Sequence, residues 1–380
     1  MVSDLDVLFC TDYLPPSDGG VEHVVDQLAR RLADQGYDVG VFALKEPGDS
    51  VDLIGHPDIA VTTARRVDMT DYLGLQSAVS PEAVREFKHA LDTYDPDIVH
   101  VHNRFFFTSF VGLAYTVRSD VKLVTSLHLG TLDQLDGLGS VAADLFQSTL
   151  SRTLVRRSDA VICVSEAVAS VAADLGVDPA RTHVVRNAVD RDRFVAESKT
   201  FDKRLLYIGR LVQNNGPQDL LEAVPALLEA HPDATVEMVG SGPLQGELAD
   251  RIAALGVGDA VTMHGYVDDI TEMYAGADVF CRPSYSEGLP LTLLESMATG
   301  TVPVVTPVAG SEEIVTDGET GCFVDVGAPE TIAETVTSLF DDPSRVDRIG
   351  TSAREYVETA HSWEQRTQDI MRIYEEVRSE

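Results

Sequence analysis

The chain has 380 residues, of which 44% are apolar, enough for two ordinary domain cores. It carries 62 acidic and 29 basic residues, a net charge of −33, and a surface this negative repels phosphate backbones and excludes nucleic acid as a partner. No apolar run reaches about 18 residues without a charge, which excludes a transmembrane helix, and the opening Met1-Val2-Ser3-Asp4-Leu5-Asp6 lacks the basic and apolar regions of a signal peptide.

Only five of the basic residues are lysines (Lys45, Lys88, Lys122, Lys199, Lys203), and the acids are spread along the whole chain. The pattern is read as adaptation to high salt, where counterions screen self-repulsion, as in a halophilic archaeon. Cys10, Cys163, Cys281 and Cys322 are far apart, and no pair has a zinc or redox spacing, so buried free thiols are expected. The expected location is cytoplasmic.

In chain order, Leu5 to Cys10 reads as a strand, followed by a loop with Pro15, Pro16, Gly19 and Gly20. Val21 to Gln35 reads as a helix with Val24, Val25, Leu28 and Leu32 on one face and Gly36 as its stop. Further strands are expected at Asp38 to Leu44, Asp97 to His102, Lys122 to Leu127 and Ala160 to Val164. After a polar stretch from Val195 to Asp202 the rhythm restarts with Leu205 to Gly209, and the helix Pro217 to His231 follows. Strands are then expected at Thr235 to Gly240, Val261 to Met263, Ala277 to Phe280 and Val302 to Val305. Alternation of this kind predicts parallel sheets with helices on both faces. The expected domains are 1–195 and 196–360, with a C-terminal helix at about 361–380 joining the first. Ligands of open parallel sheets sit beyond the carboxyl ends of the strands, so two such sheets facing each other would surround one cleft with strand-end loops.

The segment 281–321 carries the densest signal. Arg282-Pro283-Ser284-Tyr285-Ser286-Glu287-Gly288 leads through Leu289 and Pro290 into an apolar helix with Leu291, Leu293, Leu294 and Met297. Glu287 stands before that helix and Glu295 eight residues later. A helix N-terminus after a glycine offers free N–H groups to a phosphate. A carboxylate such as Glu295 can take the two vicinal hydroxyls of a ribose, and Glu287 can accept from sugar hydroxyls or stabilise a cation-like transition state. Taken alone, a pair of acids eight apart favours the plainer reading, in which Glu287 caps a helix and Glu295 is solvated.

The whole segment resembles the retaining glycosyltransferases of family 4, which have the GT-B fold. Their Glu-x7-Glu pattern, with Pro-Ser before it and Glu-Gly-x-x-Leu within it, is present at Glu287 and Glu295. Ala298-Thr299-Gly300, Ala309 to Val315 and Asp317 to Gly321 continue the resemblance. It implies two Rossmann-like domains, a nucleotide-diphosphate-sugar donor on the C-terminal one and a sugar, lipid-linked sugar or glycan acceptor on the N-terminal one. No cofactor and no metal are implied, and a lipid acceptor would bring the protein to the cytoplasmic face of the membrane without an anchor.

Residue by residue, the resemblance implies catalytic roles for Glu287, His128 and Arg210. Donor binding falls to Glu295, Asn215, Gly288, Leu289, Pro290, Leu291, Gly240, Gly242, Val267 and Gly20. Gly19, Gly20, Asn103 and His128 fall on the acceptor side. Val164-Ser165-Glu166 and Asn187-Ala188-Val189-Asp190 match domain-linking landmarks, and His361-Ser362-Trp363 resembles the C-terminal segment that crosses back onto the N-terminal domain. One position departs. Where the family has Gly-Arg-Leu, three residues and Lys-Gly, this chain has Gly209-Arg210-Leu211-Val212-Gln213-Asn214-Asn215-Gly216. An asparagine can donate a hydrogen bond but cannot neutralise a diphosphate. Three readings follow: an active glycosyltransferase, a relative that binds nucleotide-sugar without transfer or needs a partner, and another GT-B chemistry such as 2-epimerisation.

Overall fold

The computed structural model describes residues 6–14, 20–46, 56–68, 78–128, 147–196 and 200–379. The chain divides into two compact units, Met1–Arg186 with Glu364–Glu380, and Asn187–Trp363. The break therefore falls at Arg186, ahead of the expected boundary near 196. The physical reason is that Asn187 to Arg191 is bonded within the second unit. Asn187 Nδ2 donates to the Leu289 carbonyl at 2.7 Å, the Val189 N–H to the His361 carbonyl at 3.1 Å, and Arg191 to the Glu358 carbonyl at 2.9 Å.

The strands of the first unit are β1 (Val7–Thr11), β2 (Val39–Lys45), β3 (Ile59–Arg65), a small antiparallel pair β4 (Val67–Asp68) and β5 (Ala78–Val79), then β6 (Ile98–His102), β7 (Lys122–Leu127), β8 (Ala160–Cys163) and β9 (Thr182–Val184). Seven of them form a parallel sheet in the order β3-β2-β1-β6-β7-β8-β9. All five residues of β1 are buried, as expected of a strand covered on both faces. Val7 sits in register with Val39 on one side and Ile98 on the other. The chain thus steps outward from β1 to β3 and returns to the other side of β1 as β6. That reversal is the switch point beyond which open α/β sheets hold ligands.

The second unit repeats the plan with β10 (Arg204–Ile208), β11 (Thr235–Val239), β12 (Val261–Gly265), β13 (Val279–Arg282), β14 (Val302–Val305) and β15 (Cys322–Phe323). The order is β12-β11-β10-β13-β14-β15, parallel throughout, with the reversal between β10 and β13. The loops after β10 and β13 therefore flank the switch point. They are Gly209 to Gly216 and Pro283 to Pro290.

The core of this unit runs through Leu205, Tyr207, Val236, Val279 and Val304 in the strands and Leu220, Val224, Ile332 and Leu339 in the covering helices Pro217–Ala230 and Pro329–Phe340. The last helix, Trp363–Ser379, returns to the first unit. There Arg378 pairs with Asp6 at 2.6 Å and Asp97 at 3.2 Å, where the central strands β1 and β6 begin. All four cysteines are buried free thiols.

Candidate active site

In the second unit the two switch-point loops are stitched to each other. Asn214 Nδ2 donates to the Ser286 carbonyl at 2.9 Å, and the Tyr285 N–H donates to the Asn214 carbonyl at 2.7 Å. The turn after β11 packs on the first loop. Gly240 has φ +133°, and a Cβ there would stand 2.0 Å from the Gly209 carbonyl oxygen, so only glycine fits. Leu211 N–H donates to the Ser241 carbonyl at 2.8 Å, and Gly242 lies against the Leu211 backbone. Gly240 N–H in turn reaches the Gly265 carbonyl at 2.8 Å, two residues before the half-buried Val267. Arg210, Gly240, Gly242 and Val267 are thus brought to one end of the sheet.

Glu287 stands in the loop after β13 and is held on one oxygen. Arg282 Nη2 lies 2.6 Å from Glu287 Oε1, and Ser284 Oγ donates to the same oxygen at 2.9 Å. Burial works against Arg282's charge, but Glu287 together with Tyr207 and Tyr274 outweighs it and leaves the guanidinium pKa above the ordinary arginine value. The backbone of Gly288 is pressed against Gly310, where a Cβ would come 1.9 Å from the Gly288 oxygen. Leu289 is buried with its carbonyl on Asn187, Pro290 adopts extended backbone (φ −70°, ψ 132°), and the helix Leu291–Ala298 begins with no side chain capping it. Its first N–H groups carry the positive end of the helix dipole.

Glu295 lies in the second turn of that helix, buried. Tyr274, from the helix Thr271–Gly276, donates its hydroxyl to Glu295 Oε2 at 3.0 Å and also lies 3.1 Å from the Thr292 carbonyl. Burial raises the Glu295 pKa to about 7, with Tyr274, Arg193 and Arg282 pulling the other way. A carboxyl so poised changes charge near neutrality.

Asn215 is buried, and its amide is turned inward. Nδ2 donates to the Arg210 carbonyl at 3.0 Å, which also accepts from the Tyr207 hydroxyl at 3.0 Å. One N–H of the amide thus closes the Gly209–Gly216 loop from within.

In the first unit the corresponding strand ends carry histidines. His100 and His102 alternate along β6 on the same side of the sheet, and His128 follows β7. The rings form a stack, His100 to His102 at 4.5 Å and His102 to His128 at 5.3 Å. His102 Nδ1 and His128 Nε2 are 3.1 Å apart and share one proton. His100 Nδ1 meets the Tyr374 hydroxyl at 2.6 Å, and His100 Nε2 meets Ser126 Oγ at 2.8 Å. Burial, with the positive charges of Arg366 and of neighbouring imidazoles adding to it, pushes all three pKa values down, that of His128 to about 3. The stack is neutral at physiological pH.

Asn103 ends β6 in the left-handed region at φ +67°, with its N–H on the Ser126 carbonyl at 2.8 Å and its carbonyl taken by Ser109 Oγ at 2.7 Å. Its side-chain Oδ1 is buried without a partner among the described residues. After it, Phe106 is buried against Tyr13, and Arg104 reaches Ser151 Oγ at 2.8 Å. Gly20 opens the helix Gly20–Asp34, and Gly19 lies outside the described residues.

Four residues in these constellations escaped the sequence reading. Arg282, Tyr274 and His102 hold Glu287, Glu295 and His128. Asp12, after β1, accepts from the Phe107 and Thr108 N–H groups at 2.7 and 2.8 Å and caps the helix Phe107–Thr116. A charged residue ending the buried run Val279-Phe280-Cys281-Arg282 and the His-x-His alternation on β6 are the signals that could have found two of them.

Residues 18–193 match the Glycosyltransferase Family 4 domain, and residues 188–356 match Glycosyl transferases group 1. The chain is 29% identical over 377 residues to a glycogen synthase of Mycobacterium tuberculosis, covering 93% of this chain and 90% of that protein. It is 28% identical over 379 residues to a D-inositol 3-phosphate glycosyltransferase of Streptomyces scabiei, with 90% and 83% covered. Among solved structures it resembles sucrose-phosphate synthase from Thermosynechococcus elongatus, with a TM-score of 0.83, 21% identity and 98% of each chain covered. It also resembles Anabaena HepE in complex with UDP-glucose, with a TM-score of 0.78, 19% identity, and 99% and 100% covered. Two parallel-sheet Rossmann-like units, both domain matches and these neighbours together place the chain among the glycosyltransferases of GT-B type, with a family 4 domain followed by a group 1 domain.

Proposed function

We propose that the protein transfers a hexose from a nucleotide-diphosphate-sugar to a hydroxyl of a sugar, lipid-linked sugar or glycan, with retention at the anomeric carbon and without a metal. The observation that carries this reading is the disposition of Glu287 and Glu295. Each stands beside the same switch point, and each has one oxygen fixed by a neighbouring donor. Glu295 suits the vicinal hydroxyls of a ribose, and Glu287 suits the sugar and the cationic character that develops on it. Arg210 and the helix start at Leu291 suit the diphosphate, whose leaving oxygens they would stabilise as the glycosidic bond breaks. A structural neighbour that holds UDP-glucose makes uridine donors the first to try. In a front-side mechanism the leaving phosphate takes the acceptor proton, so His128, neutral and buried, would serve as a hydrogen-bonding partner of the sugar and not as a base.

The test is product formation from UDP-, GDP- and ADP-glucose with a panel of sugar and lipid-linked acceptors in molar KCl. Transfer with an intact anomeric configuration supports the proposal, and inversion or absence of product defeats it. Asn215 favours a second reading, a relative that binds nucleotide-sugar but transfers only beside a partner. Nucleotide binding without turnover would select it. High-salt adaptation is part of the proposal, carried by the net charge of −33, and full structure retained in salt-free buffer would overturn that part.

A further inference from the structure

A buried arginine completes the setting of Glu287. Arg282 closes β13, whose other three residues are apolar and buried, and its side chain is 12% exposed beside the 10% of Glu287. The guanidinium has three partners: Glu287 Oε1 at 2.6 Å, Thr292 Oγ1 at 2.8 Å through Nη1, and Ser284 Oγ at 3.3 Å through Nε. Ser284 passes the restraint on, because its hydroxyl donates to Glu287 Oε1. Three bonds from one planar fork fix its orientation. Through that plane they fix the carboxylate. Oε1 is doubly occupied, and Oε2 accepts from no described residue. Space for the fork exists because residue 209 is glycine: a Cβ there would lie 3.2 Å from Arg282 Nη1 and 3.4 Å from Cζ.

We propose that Arg282 is a positioning residue that locks Glu287 through Oε1 and thereby presents Oε2 to a hydroxyl of the donor's sugar. This rests on the reading of Glu287 as the sugar-facing carboxylate. Arg282 acts through Glu287 and has no direct role at the nucleotide. At a pH well above 7, where Glu295 stays ionised without Arg282's charge, removing Arg282 therefore affects the sugar portion of donor affinity and leaves the nucleotide portion intact.

The experiment, run well above pH 7, compares calorimetric titrations of UDP and UDP-glucose, or of the GDP or ADP pair if the wild type holds that one. Proteins are the wild type, R282A, R282K, E287A and R282A/E287A. R282A is expected to bind the free nucleotide as the wild type does, while the extra affinity conferred by the sugar falls about ten- to hundredfold, the size of a lost charge-assisted contact. Guanidinium chloride, far below its unfolding concentrations, is expected to restore part of that increment in R282A. R282K, with the charge but without the fork, falls between. The double variant, which leaves no unpaired buried charge, is expected to match E287A, because a residue acting only through Glu287 adds nothing once Glu287 is gone. An unchanged sugar increment in R282A overturns the proposal, as do additive losses in the double variant. A loss of free-nucleotide affinity in folded R282A would make Arg282 a diphosphate contact and overturn the positioning role. A wild type that binds none of the three nucleotides overturns the functional reading itself, and this inference with it.

Discussion

The two units solve the same topological problem with opposite electrostatics. At the switch point of the second unit the chemistry is ionic: Arg282 and Glu287 form a nearly dry pair, and Glu295 sits at the edge of ionisation. At the strand ends of the first unit it is neutral: three imidazoles stack, share protons with a serine and a tyrosine, and lie near the buried cation Arg366. A site that must meet a diphosphate and a developing cation gains from fixed charges. One that must hold sugar hydroxyls without exchanging protons gains from groups that keep one protonation state. The contrast explains why the second unit needs partners for its charges, whereas the first needs only to keep water away.

The largest effect expected from breaking the ionic side is at Glu287. E287A should abolish measurable transfer and leave Arg282 buried and unpaired, a loss of about 3–5 kcal/mol in unfolding free energy for an interrupted buried pair. Denaturant unfolding of E287A beside E287A/R282L separates the two, since the double variant should recover most of the stability and none of the activity. R210A should reduce kcat/KM about ten- to hundredfold through a lost charge-assisted phosphate contact, and unchanged turnover would remove Arg210 from the site.

Protonation sharpens the contrast further. Glu295 has a raised pKa, so its contribution to folding is fully present below the ordinary carboxylate range and is lost as pH rises through about 7. Nucleotide binding to its carboxylate form should run the other way, weakening about tenfold for each pH unit below 7, and E295Q should flatten that profile. A flat profile in the wild type would dissociate Glu295 from the ribose.

The histidines of the first unit have the opposite sign. Their pKa values are depressed, so the stability they supply is present above pH 6.5 and is lost as pH falls. Asp12 in the same unit, raised to about 6 by burial against the pull of its Phe107 and Thr108 donors, works against that trend. The smallest effect is an absence. The ring proton resonances of His100, His102 and His128 should not titrate between pH 5 and 8, while a solvent-exposed histidine moves through its ordinary midpoint. Titration of any of the three would mean that the stack is wetter than its packing shows.

Much of this frame was legible in the sequence. Lys122–Leu127 and Val302–Val305 are strands at the bounds expected, because short apolar runs between turn residues admit little else. The parallel alternation with a restart after the polar stretch foretold two Rossmann-like sheets. Of the strands that escaped, β4 and β5 form a separate pair of two-residue strands, and β3, β9 and β15 lie at the sheet edges, where one side lacks a partner strand and polar residues such as Thr62, Thr63, Thr182 and His183 are tolerated. Glu287 and Glu295 could be found by spacing. Their partners could not, since Tyr274 lies 21 residues from Glu295, and Arg282 bonds across a loop whose course no local pattern gives. Asn215 shows the remaining gap: the sequence displays a missing cation, but that its amide donates to the Arg210 carbonyl depends on how one loop closes.

The return of the Trp363–Ser379 helix to the first unit makes the two halves unequal as separable pieces. The second unit is one continuous span of chain. The first is discontinuous, and its histidine stack ends on Tyr374 and the start of its central strands on Arg378, both from that helix. A fragment of residues 187–363 should stand alone, whereas residues 1–186 should require the terminal peptide supplied in trans. Such a peptide would serve as a reporter of whether the first unit has assembled, since its capture demands aligned starts of the central strands and a formed imidazole stack at once.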